Sequence, residues 1–326
     1  MQYLNTQYLS RRFASVLAAV ALSLLSPSTW GVPPLQPIEN FTKRPILSDV
    51  SLSPSGNRMA FIMFNKEGRR TVAVMSLNPL GAAKVVGGFG DADVTDVTWV
   101  NDRRLVFQAF QDGAVIKKGG AGTFAVDYDG SNSRQLISWQ FSIDTLGNSL
   151  IRSRVLPYGW FLRSAVDDES DDVFVYRLVR DNLNEPKQVE LARLNTASGE
   201  LRRLSSGMPD RSWSWLLDQK DEPRVVTSYS SGRTKVSWRD PSSDQWLELA
   251  DFDSYAEAGF HPLLVEADGQ LVVSARRNGD TTALYRYDPA NKRLDLEPLL
   301  QVKGFDLPNR PELDSRTHRQ IGRAHV

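Results

Sequence analysis

The chain has 326 residues, 41% of them apolar and 24% charged, which supports a packed globular core and excludes wholesale disorder. Lysine plus arginine and aspartate plus glutamate each number 39, so the chain has no basic excess of the kind a nucleic-acid binder carries. There is no cysteine, which excludes disulfides, thiolate metal sites and a cysteine nucleophile. The three histidines, His261, His318 and His325, are too few for a histidine-built metal centre, and no cofactor is expected.

The N-terminus reads MQYLNTQYLSRRFASVLAAVALSLLSPSTWG. Arg11 and Arg12 precede an apolar or small-residue run from Phe13 to Leu25, and Ser, Pro, Thr and Gly follow. This is the layout of a secretory signal peptide, so residues 1–31 are expected to form a signal helix cleaved near Ser28 or Gly31. The apolar run is too short to span a bilayer comfortably, and no stable membrane span is expected after cleavage. Without a cysteine at the cleavage site a lipid anchor is excluded, which leaves a periplasmic or secreted product. Residues 32–44, VPPLQPIENFTKR, form an aperiodic, proline-rich lead-in.

From residue 45 the sequence repeats. DVSLSPSGNRMAFIMF predicts a strand, a turn over Ser53 to Asn57 and a second strand from Arg58, with proline and glycine supplying the turn geometry. TVAVMSL follows as a third strand. DVTDVTWVNDRRLVFQAF repeats the pattern with its turn at Asn101 and Asp102, and Asp129-Gly130 marks a hairpin. IDTLGNSLIRSR, QVELARLNTASGELRRLS, WSWLLDQKDEPRVVTSYS, TKVSWRDPSSDQWLELADF, HPLLVEADGQLVVSARR and TALYRYDPANKRLDL continue it. Equivalent turns fall at Gly56, Asp102, Asp221 and Gly269, and residues 142–206 have room for one further unit with an insertion. Four strands in about 40 to 50 residues are the signature of a β-propeller blade. The predicted fold is therefore all-β, a propeller of about five or more four-stranded blades over residues 45–320. Val72, Val74, Phe124, Val126, Leu284 and Tyr285 are candidates for the apolar faces between blades.

Other features read as structure rather than chemistry. The acidic run from Asp167 to Asp172 could hold a cation, but a solvated loop between strands explains it better. Trp99, Trp213, Trp215, Trp238 and Trp246 could stack a ligand, yet in a propeller they pack between blades. Arg103, Arg104, Arg202 and Arg203 could line a channel and bind a carboxylate, with edge-strand solubility the blander reading. The glycine-rich stretches GGFGDAD and KKGGAGTF match no phosphate-binding pattern and read as hairpin loops.

SLSPSGNRMAFI, WSWLLDQKDEPRV, VSWRDPSSDQWLELADF, TALYRYDPANKRL and the later VKGFDLPNRPELDSRTHRQ resemble the N-terminal propeller of bacterial S9 (prolyl oligopeptidase family) serine peptidases. The resemblance covers roughly residues 40–320, and TolB-like propellers share the SPSG-type turn. It implies a lid over an α/β-hydrolase domain, admitting peptide substrates to a Ser-Asp-His triad and excluding folded proteins. No G-x-S-x-G elbow occurs in the chain, and no histidine follows a hydrolase pattern, so the triad maps onto no residue and the catalytic set here is empty. His261, in GFHPLL, is expected to pack or to bond at the surface. The paired glutamates of a dipeptidyl-peptidase clamp are also missing. The expectation is a gating propeller without activity of its own, truncated before its hydrolase; the alternative is a stand-alone TolB-like propeller that binds proteins. A propeller enzyme with its own channel site, such as a glycosidase or lactonase, ranks lowest. The last six residues, IGRAHV (321–326), match one frame of a common sequencing adapter and are expected to be non-biological. An unclosed ring would leave a blade face and strand edges bare, so the chain as written is expected to be aggregation-prone.

Overall fold

The computed structural model describes residue 37 and residues 47–111, 121–139, 154–255, 259–266, 268–277, 279–307, 312–314 and 319–321. The signal segment, nearly all of the lead-in, IDTLGNSLIRSR up to Ser153, His318 and residues 322–326 lie outside them. The described strands all lie within the compact unit Ile46–Val326.

They form five four-stranded antiparallel meanders. Sheet 1 holds β1 (Leu47–Leu52), β2 (Arg58–Phe64), β3 (Arg70–Ser76) and β4 (Lys84–Gly87). Sheet 2 holds β5 (Ala92–Trp99), β6 (Arg104–Gln111), β7 (Gly122–Asp127) and β8 (Arg134–Ser138). Sheet 3 holds β9 (Trp160–Ala165), β10 (Asp172–Arg180), β11 (Pro186–Asn195) and β12 (Leu201–Arg203). Sheet 4 holds β13 (Ser212–Leu217), β14 (Pro223–Ser230), β15 (Arg233–Arg239) and β16 (Trp246–Asp253). Sheet 5 holds β17 (Phe260–Val265), β18 (Leu271–Ala275), β19 (Ala283–Asp288) and β20 (Arg293–Leu294). A two-stranded hairpin, β21 (Glu312–Asp314) with β22 (Arg319–Ile321), comes last. β22 thus takes in the first residue of IGRAHV. Among the described residues no helix is long and apolar enough to cross a membrane.

The turns follow their residues. In sheets 1, 4 and 5 the first turn closes through the same bond, from Gly56 to Ser53, Asp221 to Asp218 and Gly269 to Glu266, at 2.8, 3.0 and 2.9 Å. The donor has positive φ in all three, which glycine adopts freely and aspartate tolerates. Sheet 2 uses a tighter turn in which Val100 and Asn101 both donate to the Arg104 carbonyl. Gly122 serves a different need: at φ 137°, a Cβ there would lie 2.0 Å from the Ile137 carbonyl oxygen of the paired strand β8.

The core lies in the seams between sheets. Ile62, Val72 and Val74 meet Val94, Val97, Trp99, Phe107 and Val126 between sheets 1 and 2. Val106 and Ile137 meet Trp160, Val173 and Leu194 between sheets 2 and 3. Phe174 and Leu191 meet Trp215 and Val226 between sheets 3 and 4. Val225, Val236 and Trp238 meet Phe260, Val273 and Tyr285 between sheets 4 and 5. Val225 and Val226 are neighbours on β14 and serve opposite seams, as a two-residue side-chain period requires. The same alternation splits Leu284 from Tyr285: Tyr285 faces sheet 4, whereas Leu284 joins Leu264 and Val272 on the far face of sheet 5. This stacking of radial sheets is a β-propeller, as the repeat predicts.

Candidate functional site

The first turns of sheets 1, 2 and 3 border one open cavity of about 530 Å³, among whose lining residues are Pro54, Asn101, Asp102, Arg103, Asp167 and Glu169. The turns of sheets 1 and 2 reach across their seams. Ser55 donates to the Asp102 carboxylate from its backbone N–H at 3.0 Å and from its hydroxyl at 2.6 Å, and Arg58 donates to the Asp102 carbonyl. The Ser55 hydroxyl bond, helped by its N–H, holds Asp102 below the usual carboxylate range against mild desolvation.

Sheet 2 grips sheet 3 more firmly. Asn101 Nδ2 donates to Asp171 Oδ1 at 2.8 Å and to the Ser170 carbonyl at 2.9 Å. Arg103 forks from Asp127 on its own sheet at 2.7 Å to Asp171 on the next at 2.8 Å. Burial alone would lower the Arg103 pKa, but the two carboxylates outweigh it and raise it. Behind this contact Arg104 is 1% exposed. Its guanidinium donates to Asp127 Oδ1 at 2.7 Å, to Thr196 Oγ1 at 2.8 Å, to the Thr196 carbonyl at 2.7 Å and to the Asn132 carbonyl at 3.2 Å. Asp127 is buried, yet Asn132, Arg104 and Arg103 together pull its pKa below the ordinary value.

These contacts correct several expectations. Edge-strand solubility does not describe Arg103 or Arg104, which tie sheet 2 to sheet 3; it does describe Arg202 and Arg203 on the outer strand β12, where both are exposed and Arg202 pairs with Glu222 at 3.3 Å. The acidic run is the first turn of sheet 3. Asp167 and Glu169 are solvated, but Asp171 is held by Arg103, and Asp168 and Asp172 flank Arg193 at 2.6 and 2.9 Å. GGFGDAD is not a hairpin loop: it connects β4 to β5 across the first seam, and Phe89 lies 4.7 Å from the Phe124 ring. Trp99, Trp215 and Trp238 are buried between sheets as expected, while Trp213 and Trp246 are partly exposed. His261 is exposed on β17, directly across from Ser274, and borders a separate cavity of about 460 Å³. Asp127, Asn132 and Thr196 were not singled out by the sequence; an Asn-Asp-Arg-Arg turn beside a strand that ends in aspartate was the available signal.

The turn of sheet 4 differs from those before it. Burial, then the nearby charges of Asp168, Asp167 and Asp218, holds Asp221 above the ordinary carboxylate range against the pull of Arg193. A raised acid binds its proton more tightly in the folded state, so stability falls as pH rises from the unfolded pKa, about 3.9, through the folded value. Asp221→Asn keeps a residue suited to φ 59° and removes the charge. It should add roughly 0.5–2 kcal/mol at pH 7 and progressively less toward acid. Thermal melting of both proteins across pH checks this, and an equal gain at every pH would refute it.

Chemically, the cavity is of a size that small ligands occupy, with an acidic lip at Asp167 and Glu169. Among the described residues no group of three or more acidic, histidine or cysteine side chains could hold a metal. The described histidine, His261, lies on sheet 5, away from the turns of sheets 1 to 3.

No family model matches the sequence, and no curated protein does. Solved structures share its architecture. Puromycin hydrolase aligns at 14% identity and a TM-score of 0.43, over 80% of this chain and 40% of its own. The β-propeller domain of the trilobed protease from Pyrococcus furiosus, described as having an open velcro topology, aligns at 13% and 0.44, over 80% and 73%. TolB from Acinetobacter baumannii aligns at 13% and 0.34, over 76% and 52%. The chain spans about 40% of the length of puromycin hydrolase. The fold itself rests on the five sheets and their seams.

Proposed function

We propose that this chain is the substrate-gating propeller of an exported S9-type serine peptidase, admitting peptides to an α/β-hydrolase domain that carries the Ser-Asp-His chemistry. One observation carries the reading: the sequence units that resemble that family fall on blade hairpins of sheets 1, 4 and 5. SLSPSGNRMAFI runs from the end of β1 into β2, WSWLLDQKDEPRV from β13 into β14, VSWRDPSSDQWLELADF from β15 into β16, and TALYRYDPANKRL from β19 to β20. The seam contacts suit a filter, because a wall that excludes folded proteins must resist separation of its blades. On this reading the chain alone hydrolyses nothing, and the exported parent acts outside the cytoplasm.

The test is to resequence the locus and express the whole reading frame. A G-x-S-x-G elbow with later aspartate and histidine should appear downstream. The enzyme should cleave short fluorogenic peptides, spare a folded protein of the same sequence content, and lose activity when the elbow serine becomes alanine. An authentic stop after Val326 would overturn the proposal in favour of a TolB-like protein-binding propeller. Equal cleavage of folded and unfolded protein would refute the gating role.

A further inference from the structure

The first strands follow one another around the stack: β1 adjoins β5, β5 adjoins β9 and β13 adjoins β17. They form the inner wall of the propeller. Each is bulged against the second strand of its sheet. In sheets 2 to 5 the slip in register leaves one first-strand residue unmatched, namely Thr95, Arg163, Trp213 and Leu263. A bulge bends its strand and re-aims the side chain it carries. Arg163 is the charged residue among these four, and the sequence pattern did not single it out.

The surroundings of Arg163 are unlike those of the other shielded arginines. Arg104, Arg193 and Arg224 each hold a carboxylate. Among the described residues no carboxylate pairs with Arg163; its Nη2 donates to the Trp215 carbonyl on β13 at 3.2 Å, which leaves most of its five donors unspent. Desolvation by the protein around it lowers its pKa, with Tyr176 the one charge partner pulling the other way, and yet the residue is exposed. A group that solvent reaches and protein still surrounds stands in a concave wall. Two residues earlier on the same strand Phe161 is 38% exposed, its ring 5.5 Å from that of Tyr176.

We propose that Arg163 is a carboxylate-binding residue of the inner wall, and that its ligand is the carboxylate of a short peptide, whether the C-terminus or an acidic side chain. That the carboxylate belongs to a peptide rests on the gating reading. A guanidinium fork matches a carboxylate through two parallel N–H···O bonds. The Trp215 carbonyl fixes one end of the fork, so the rest is positioned before a ligand arrives. A partly desolvated cation without a counter-ion is costly, and an arriving carboxylate relieves that cost. No second cation acts on Arg163, so the place suits a single negative charge rather than a phosphate dianion. Phe161 offers apolar surface beside it for the body of the peptide.

Calorimetric titration of the purified chain, or of the whole reading frame where the chain alone is insoluble, tests this with three probes. They are acetyl-Ala-Ala-Phe as the free acid, the same peptide as its C-terminal amide, and acetyl-Ala-Glu-Phe amide. At least one carboxylate probe should bind about tenfold or more tighter than the uncharged amide, and which one does so names the source of the carboxylate. Arg163→Gln should abolish that preference, and Arg163→Lys, which keeps the charge and loses the fork, should retain only part of it. A purely structural tie to Trp215 would leave the preference untouched. If circular dichroism shows that Arg163→Gln is unfolded, the reduction in Arg163→Lys decides. Equal binding of all three probes, an absence of binding, or a preference that survives the substitution would overturn the proposal. None of these results depends on hydrolysis: a reading frame that cleaves no peptide would sink the gating reading and leave the site standing, whereas equal binding would remove the site and leave the gating reading untouched.

Discussion

Arg104→Met lowers the unfolding free energy by about 3–5 kcal/mol, the loss typical of removing one partner from a buried ion pair. The size follows from what the guanidinium leaves behind. Asp127 loses one donor, and the Thr196 and Asn132 carbonyls lose theirs. The Thr196 hydroxyl loses its Arg104 donor but still donates to the Asp171 carbonyl at 2.7 Å. Methionine fills the space and satisfies none of these acceptors. Asp127 keeps Arg103 and Asn132, which limits the damage. Arg104→Lys should fall between, because an ammonium cannot fork to Asp127 on one side and Thr196 on the other. The mutation also changes the acid limb. Asp127 has a depressed pKa, so its contribution is present above the ordinary aspartate value of about 3.9 and is lost as pH falls through the lower folded value. Without Arg104 that acid-sensitive component shrinks. Urea unfolding at neutral pH and at pH 3 measures both effects. A neutral-pH loss below about 1 kcal/mol would show that the guanidinium is dispensable.

The fold was legible because its signals are local. Turn chemistry at Ser53 to Asn57, Asp129-Gly130 and Gly269, together with two-residue alternation, places most strands and the blade period. Sheet 3 was harder. Its first turn carries six polar residues from Asp167 to Asp172, with no glycine or proline, so it read as an insert rather than as the counterpart of Gly56. The seam contacts were not legible at all. Arg104 and Thr196 are far apart in sequence, and an arginine opening a β-strand looks like a solubilising edge until the neighbouring sheet is placed over it. The same limit applies to Leu284 and Tyr285: alternation says that they face opposite ways, but only the stack says that Tyr285 faces sheet 4 and Leu284 joins Leu264 and Val272. Burial of a charge is a property of two elements together, and a pattern read along one element cannot express it.

Trp215→Ala should be about as costly as the loss of Arg104, roughly 3–5 kcal/mol, for a different reason. The indole is 3% exposed between sheets 3 and 4, packs with Phe174, Leu191 and Val226, and meets the Trp246 ring edge-on at 6.3 Å. Truncation removes that transfer energy and leaves a cavity that paired strands cannot collapse to fill. Trp215 Nε1 also donates to the Val189 carbonyl at 3.2 Å, as Trp99 Nε1 does to Ser51 at 3.0 Å two seams earlier. In both cases the tryptophan fills the seam with its ring and bonds the preceding sheet with its N–H. Phenylalanine at 215 therefore separates the two roles. It should restore most of the packing and leave a deficit of about 0.5–1.5 kcal/mol for the missing bond. If Trp215→Phe were as damaging as Trp215→Ala in chemical denaturation, the bond rather than the packing would hold this seam. Hydrogen exchange adds a spatial check. Loss of protection in Trp215→Ala should concentrate in β10, β11, β13 and β14, the strands that carry this cluster, and should leave the seam between sheets 1 and 2 least affected.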